Sequence, residues 1–187
     1  MQLGFLFDQT RCIGCYTCQV ACKDWHDIPE GPVSWMRIAG VEEGRFPHLF
    51  LAHVVLPCYH CAEPFCVQAC PVDAIAKRKS DGIVLVDQGK CLGKGDCDTL
   101  CRKACPWDTP QFGPEENAKV QKCDFCLDRL KEGKEPICVA ACPMRALDFG
   151  PMEELVRKYG DVRKVRGFVH TPKAKSSIVF KPREHIR

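Results

Sequence analysis

Residues 12–22 read CIGCYTCQVAC, with Cys12, Cys15, Cys18 and Cys22 separated by two, two and three residues. Thiols packed this closely oxidise, exchange into disulfides and capture metals unless something holds them. Thiolates are soft ligands, and sets of four suit either zinc or an iron–sulfur cubane. Spacing separates the two. A structural zinc site takes two C-x2-C pairs, each gripping one edge of a tetrahedron. CIGCYTC instead offers three thiols for three corners of one cubane. The last cysteine then turns to the other cluster of a pair, as in the two-cluster ferredoxin run C-x2-C-x2-C-x3-C-P. Lys23 stands where that run has proline.

Working outward, the arrangement recurs. CYHCAEPFCVQACP carries Cys58, Cys61, Cys66 and Cys70. CLGKGDCDTLCRKACP carries Cys91, Cys97, Cys101 and Cys105, and CDFCLDRLKEGKEPICVAACP carries Cys123, Cys126, Cys138 and Cys142. All 16 cysteines fall into four groups of four, each ending in C-x3-C, and Pro71, Pro106 and Pro143 follow three of those final cysteines. This is an internal repeat. Proline at that position fixes φ and has no N–H, so it turns the chain away and leaves nearby amides free to point at sulfur. The third group departs from the spacing, with gaps of five, three and three residues. Gly93 and Gly95 let its longer loop fold back over a cluster. A distorted cluster, a three-iron cluster or zinc is the alternative reading there.

Short strand signals lie between the groups: GFLFD (4–8), LFLAHVVLP (49–57), GIVLVD (82–87) after an Asp81-Gly82 turn, RALDFG (145–150) and SSIVFKP (176–182). One helix is predicted outside them, PMEELVRKYG (151–160), with Pro151 at its start, Glu153 and Glu154 in the first turn, Arg157 and Lys158 in the last and Gly160 just beyond. Residues 23–48 read as a long ordered loop with Trp35 or Phe46 tucked in. The expected fold is α+β: two pseudo-symmetric ferredoxin-like halves, each holding two clusters. His60, inside CYHC, reads as a hydrogen-bonding or shielding residue rather than a ligand. Trp25 and Trp107 read as shields of a cluster from water. KRKS (77–80) reads as a solvated hairpin end.

The 187 residues suffice for one sizeable domain or two small ones. The tight grouping of cysteines and the aliphatic strands argue against a disulfide scaffold. No apolar run reaches the length of a membrane span, and MQLGFLFDQTRC has no export-signal pattern. The formal charge of +3 is scattered, which argues against a nucleic-acid surface. Each oxidised four-iron site with its thiolates carries about −2, so four of them turn that charge into about −5. The basic residues thus offset cofactor charge and need no anionic partner. GxGxxG, a P-loop and a pterin-sized domain are all missing, so substrate chemistry belongs to another chain.

The segments GFLFDQTRCIGCYTCQVACKDW, CYHCAEPFCVQACPVDAI, DGIVLVDQGKC, KCDFCLDRLKEGKEPICVAACPMRALDFGPMEELVRKYGD and IVFKP, spread from residue 4 to about 182, resemble the four-cluster iron–sulfur subunit of molybdopterin oxidoreductases, and within it most closely the dimethyl sulfoxide reductase type. The match through the fourth group and its helix extends over non-ligand residues. The resemblance implies nested ligand sets: Cys12, Cys15, Cys18 and Cys142 for one cluster; Cys123, Cys126, Cys138 and Cys22 for its neighbour; Cys58, Cys61, Cys66 and Cys105 for a third; Cys91, Cys97, Cys101 and Cys70 for the fourth. It implies a wire running in that order, from a large molybdenum- or tungsten-pterin catalytic subunit to a second electron partner, soluble or membrane-anchored. It implies two ferredoxin-like halves, residues 1–48 and 106–150 (groups one and four) forming one and 49–105 (groups two and three) the other, with 151–187 a C-terminal helix and strand extension, and it implies no catalysis by this chain alone.

The function expected is therefore electron relay through four 4Fe-4S clusters. A free polyferredoxin shuttle and a zinc-stabilised interaction module are the alternatives. The altered third group falls at the far end of the implied wire, where Lys94 or Lys90 would draw in an acidic soluble donor. A cytoplasmic location is favoured, with co-export alongside a partner as the other route.

Overall fold

The computed structural model describes residues 1–184. Its central sheet is built round β1 (Leu3–Asp8), which pairs antiparallel with β8 (Leu147–Pro151) and parallel with β9 (Ile178–Lys181). Successive strand residues face opposite ways. Phe5 and Phe7 enter the main core, stacking or packing with Phe125, Phe180 and Ile178, while Leu6 enters a second layer with Val179 and Leu155. Both faces of β1 are covered, which is why GFLFD reads as a continuous apolar run.

Helix α7 (Met152–Tyr159) covers the Leu6 face. Pro151 caps it from just outside, with extended backbone, and Gly160 ends it at φ 87°. Residues 151–181 are thus built into the first sheet through α7 and β9 and do not trail from it.

Residues 23–48 differ from the expected loop. β2 (Ile38–Arg45) and β3 (His48–Val55) form an antiparallel hairpin, with Ile38 opposite Val55 and Arg45 opposite His48. Two glycines and two glutamates hide β2 in the sequence, and only Val41 in it is buried. Its partner anchors the hairpin by burying Phe50, Ala52 and Val54. The hairpin crosses the division expected at 48/49. Phe46 sits at its tip, 86% exposed, whereas Trp35 is half-buried and donates its Nε1–H to Gln121 Oε1 at 3.0 Å.

The remaining elements are short. They are α1 (Thr17–Trp25), α2 (Phe65–Gln68), β4 (Ile75–Lys77) paired with β5 (Val84–Val86), α3 (Lys94–Cys97), α4 (Leu100–Ala104), β6 (Gln111–Phe112) paired with β7 (Val120–Gln121), α5 (Leu127–Lys131) and α6 (Ile137–Ala140). A separate core of Ile75, Val84, Phe112 and Val120 lies among the cysteines of the second and third groups. Among the described residues no helix is long and apolar enough to cross a membrane.

Candidate iron–sulfur centres

Each cysteine group repeats one backbone device. Two places after the first cysteine, φ is positive in all four groups: Gly14 (68°), His60 (45°), Gly93 (100°) and Phe125 (67°). For a residue other than glycine this conformation costs about 1–2 kcal/mol. The return is a local turn of amides toward sulfur. The Gly14 amide reaches Cys12, and the Phe125 amide lies 3.4 Å from Cys123 Sγ.

A second device follows the final cysteines. Three places beyond Cys70, Cys105 and Cys142, the residues Asp73, Asp108 and Arg145 have φ of 51°, 53° and 50°. The chain then doubles back. Ala74 N–H donates to Cys70 Sγ at 3.2 Å and Ala146 N–H to Cys142 Sγ at 3.3 Å, while the Thr109 hydroxyl lies 3.3 Å from Cys105 Sγ. Proline after the cysteine ends the short helix and makes this turn possible. The first group has Lys23 there, so α1 runs on past Cys22 to Trp25.

These devices bring cysteines of different groups together. Cys12, Cys15, Cys18 and Cys142 line one cavity. Cys58, Cys61, Cys66 and Cys105 line another, and Cys70, Cys91, Cys97 and Cys101 a third. Cys22, Cys123, Cys126 and Cys138 form a deeper set, all buried and close enough to influence one another's ionisation. A larger groove between Gln2, Arg163, His170 and Lys175 holds no cysteine.

The donor set fits iron–sulfur clusters better than zinc. Four sulfurs bound to one zinc at about 2.3 Å must lie within about 4 Å of one another. Among the described residues no three thiols lie mutually within 4.8 Å; the one compact trio of metal-ligating atoms is His26, Asp124 and Cys126. In three of the four sets the sulfurs stand back round a cavity, as a cubane requires, and the set built mainly from the third group is one of them. Burial pushes the thiols of Cys18, Cys22, Cys66 and Cys101 up to about 12 and Cys126 up to about 11, and Cys123 and Cys138 well above their ordinary value. Exposed Cys15 goes the other way, because the Thr17 hydroxyl donates to its sulfur at 3.4 Å. Binding a soft cation supplies the charge that the buried thiolates lack and releases their protons.

Among neighbouring residues, Trp107 and His60 sit as the sequence reading expects and Trp25 does not. Trp107 is 6% exposed, lines the cavity of Cys58, Cys61, Cys66 and Cys105, and stacks on Phe168. Trp25 is 41% exposed and instead bonds Asp128 at 2.7 Å under the Arg129 guanidinium. His60 is fully buried. Its Nδ1 accepts the Val84 N–H at 3.0 Å, its Nε2 has no protein partner, and its ring meets Phe125 edge-on at 5.2 Å. His60 and Phe125 occupy equivalent places in CYHC and CDFC, so two repeats touch there.

Lys77 is not solvated: its Nζ donates to Gln2 Oε1, Cys61 O and Gly82 O. Lys94 is tied to the chain itself, donating to Gly113 O at 2.9 Å and Pro114 O at 3.2 Å. Asn117 holds the rest of that loop by accepting from Gly95 N–H and donating to Asp96. Two residues near sulfur escaped the sequence reading. His26 Nε2 lies 3.3 Å from Cys126 Sγ. Lys122 is 3% exposed; its signal was the inward alternation of Val120 continued two places on.

A 4Fe-4S dicluster domain matches residues 49–152, and a second 4Fe-4S dicluster domain matches residues 11–74. Over 195 aligned residues the sequence is 42% identical to the B subunit of anaerobic dimethyl sulfoxide reductase of Escherichia coli (strain K12), covering 100% of this chain and 91% of that one. The corresponding B subunit of Haemophilus influenzae is 38% identical over the same length. The formate dehydrogenase-O iron-sulfur subunit of E. coli is 36% identical over 171 residues, covering 82% of this chain and 55% of that protein.

Proposed function

The chain belongs to the 4Fe-4S dicluster family, and from that premise we propose that it is the electron-transfer subunit of a molybdenum- or tungsten-pterin oxidoreductase, not catalytic alone. One observation carries the reading: the sixteen thiols gather into four sets, each drawn from two sequence groups, and three of those sets line a cavity rather than converge on a point. Bound there, 4Fe-4S clusters supply one-electron redox steps. The chain's own residues set the path by holding those sites in series.

In this reading Cys12, Cys15, Cys18 and Cys142 hold the first cluster, facing the large catalytic subunit. Cys123, Cys126, Cys138 and Cys22 hold the second, Cys58, Cys61, Cys66 and Cys105 the third, and Cys91, Cys97, Cys101 and Cys70 the fourth. Groups one and four make one ferredoxin-like half and groups two and three the other, with α7 and β9 of the C-terminal extension packed on the first. Support for the first site's role is its accessible ligand Cys15, flanked by exposed Ile13, Tyr16 and Met144. At the far site Leu92 and Leu100 stand exposed, and Lys94 is committed to the chain's own carbonyls. A second electron partner, soluble or membrane-anchored, meets that surface through apolar contact.

The test is anaerobic isolation of the native complex. About sixteen iron and sixteen sulfide per chain are expected, together with a large chain bearing molybdenum or tungsten. Purification of this chain alone, fully loaded and reducing the physiological acceptor by itself, would instead establish a free shuttle. One zinc with about twelve iron would reassign the third group.

A further inference from the structure

Lys122 is a buried cation without a carboxylate partner among the described residues. Its Nζ donates to the Val84 carbonyl and, at 2.8 Å, to the Cys123 carbonyl. Those two acceptors belong to different sites. Val84 lines the cavity of Cys58, Cys61, Cys66 and Cys105, whereas Cys123 belongs to the deep set with Cys22, Cys126 and Cys138. The ammonium also acts electrostatically on the Cys66 thiol and on His60. It therefore stands at the junction of the two inner sites, where Cys123 and Cys58 also influence each other.

Two carbonyl dipoles do not replace the hydration of an ammonium, and buried lysine is rare unless paired. A nearby anion is what such a site calls for. Resting on the cluster reading above, the geometry points to Lys122 as a shared counter-ion of the second and third clusters, raising the potentials of both and thereby linking the halves electrically. The direction follows from charge. Reduction adds one negative charge to each site, and a fixed cation beside it favours the reduced form. Low local dielectric strengthens the effect. His60 meets Phe125 edge-on, and burial together with the charges of Lys122 and Lys77 disfavours its cationic form, so it adds no competing charge.

The experiment is an EPR-monitored redox titration of the intact complex carrying Lys122→Gln or Lys122→Arg. Glutamine keeps a donor without the charge, and arginine keeps the charge. In Lys122→Gln two of the four clusters are expected to become harder to reduce by tenfold or more, which is about 59 mV for one electron, while the other two hold. In Lys122→Arg both return toward the unaltered values. Unmoved potentials, or equal shifts at all four clusters, overturn the inference. Loss of only the two inner clusters in Lys122→Gln with retention in Lys122→Arg supports it, because charge is then the requirement. Loss in both variants overturns it, because shape is. Iron content of the unaltered complex tests the cluster reading separately, so the two failures are distinguishable.

Discussion

Replacing Cys22 by serine tests the nested arrangement at its most exposed assumption. Cys22 lies on α1 only four residues from Cys18, and proximity along the chain alone would assign both to one site. The fold argues otherwise. Cys22 is 4% exposed, α1 packs against α6, and among other thiols Cys126 acts most strongly on that of Cys22, ahead of Cys18. Cys138, on α6, responds to both Cys126 and Cys22. Serine keeps the shape but gives up the soft ligand. One of four sites then lacks a corner, so iron is expected to fall from about sixteen to about twelve per chain if that cluster is lost, or to about fifteen if it survives with three irons. The assay compares three variants by iron analysis and EPR of the dithionite-reduced protein. Cys22→Ser and Cys138→Ser are expected to alter the same signal, and Cys15→Ser a different one. Agreement of Cys22→Ser with Cys15→Ser, leaving the Cys138→Ser signal intact, would refute the pairing.

Three further outcomes are expected. Gly14→Ala places a methyl 2.2 Å from the His53 ring in a backbone held at φ 68°, at a cost of about 1–3 kcal/mol, so the first site loads less iron while the other three stay full. Tyr159→Phe removes the hydroxyl that donates to Asp148 at 2.5 Å. Burial and then the Asp148 carboxylate push that phenol above its usual 10.0, so its contribution is fully present below pH 10.0 and lost as pH climbs through the raised value; melting curves should show a deficit at pH 8 that narrows above pH 10. Lys94→Met is expected to loosen the 91–97 loop, seen as faster amide exchange at Gly95, yet to leave the salt dependence of electron exchange with the partner unchanged.

What was legible in the sequence was whatever chemistry or burial forced on it. Cysteine spacing announced the site type because so few ligands need that pattern. The runs giving β1, β9 and α7 were legible because β1 is buried on both faces and α7 presents Leu155 inward between capped ends. β2 was not, since its hold comes from β3 rather than from its own residues. Pairs such as Gln111–Phe112 with Val120–Gln121 are too short for any periodicity to register. Lysines were the poorest guides. Lys77, Lys94 and Lys122 sit in a category that is ordinarily solvated, and each is bound to main-chain carbonyls that only the folded chain brings within reach.

The placement of β1 also sets a schedule for biosynthesis. Its two neighbours are drawn from 147–151 and 178–181, so β1 leaves the ribosome well before either of them and waits unpaired until they follow. The thiols of 12–22 wait with it, since Cys138 and Cys142 arrive just ahead of β8. Those between 58 and 105 are complete much sooner. A nascent chain therefore has two sets of thiols ready for assembly well before the others, and a chaperone that shields the strand 3–8 and its neighbouring cysteines from oxidation would act over that interval.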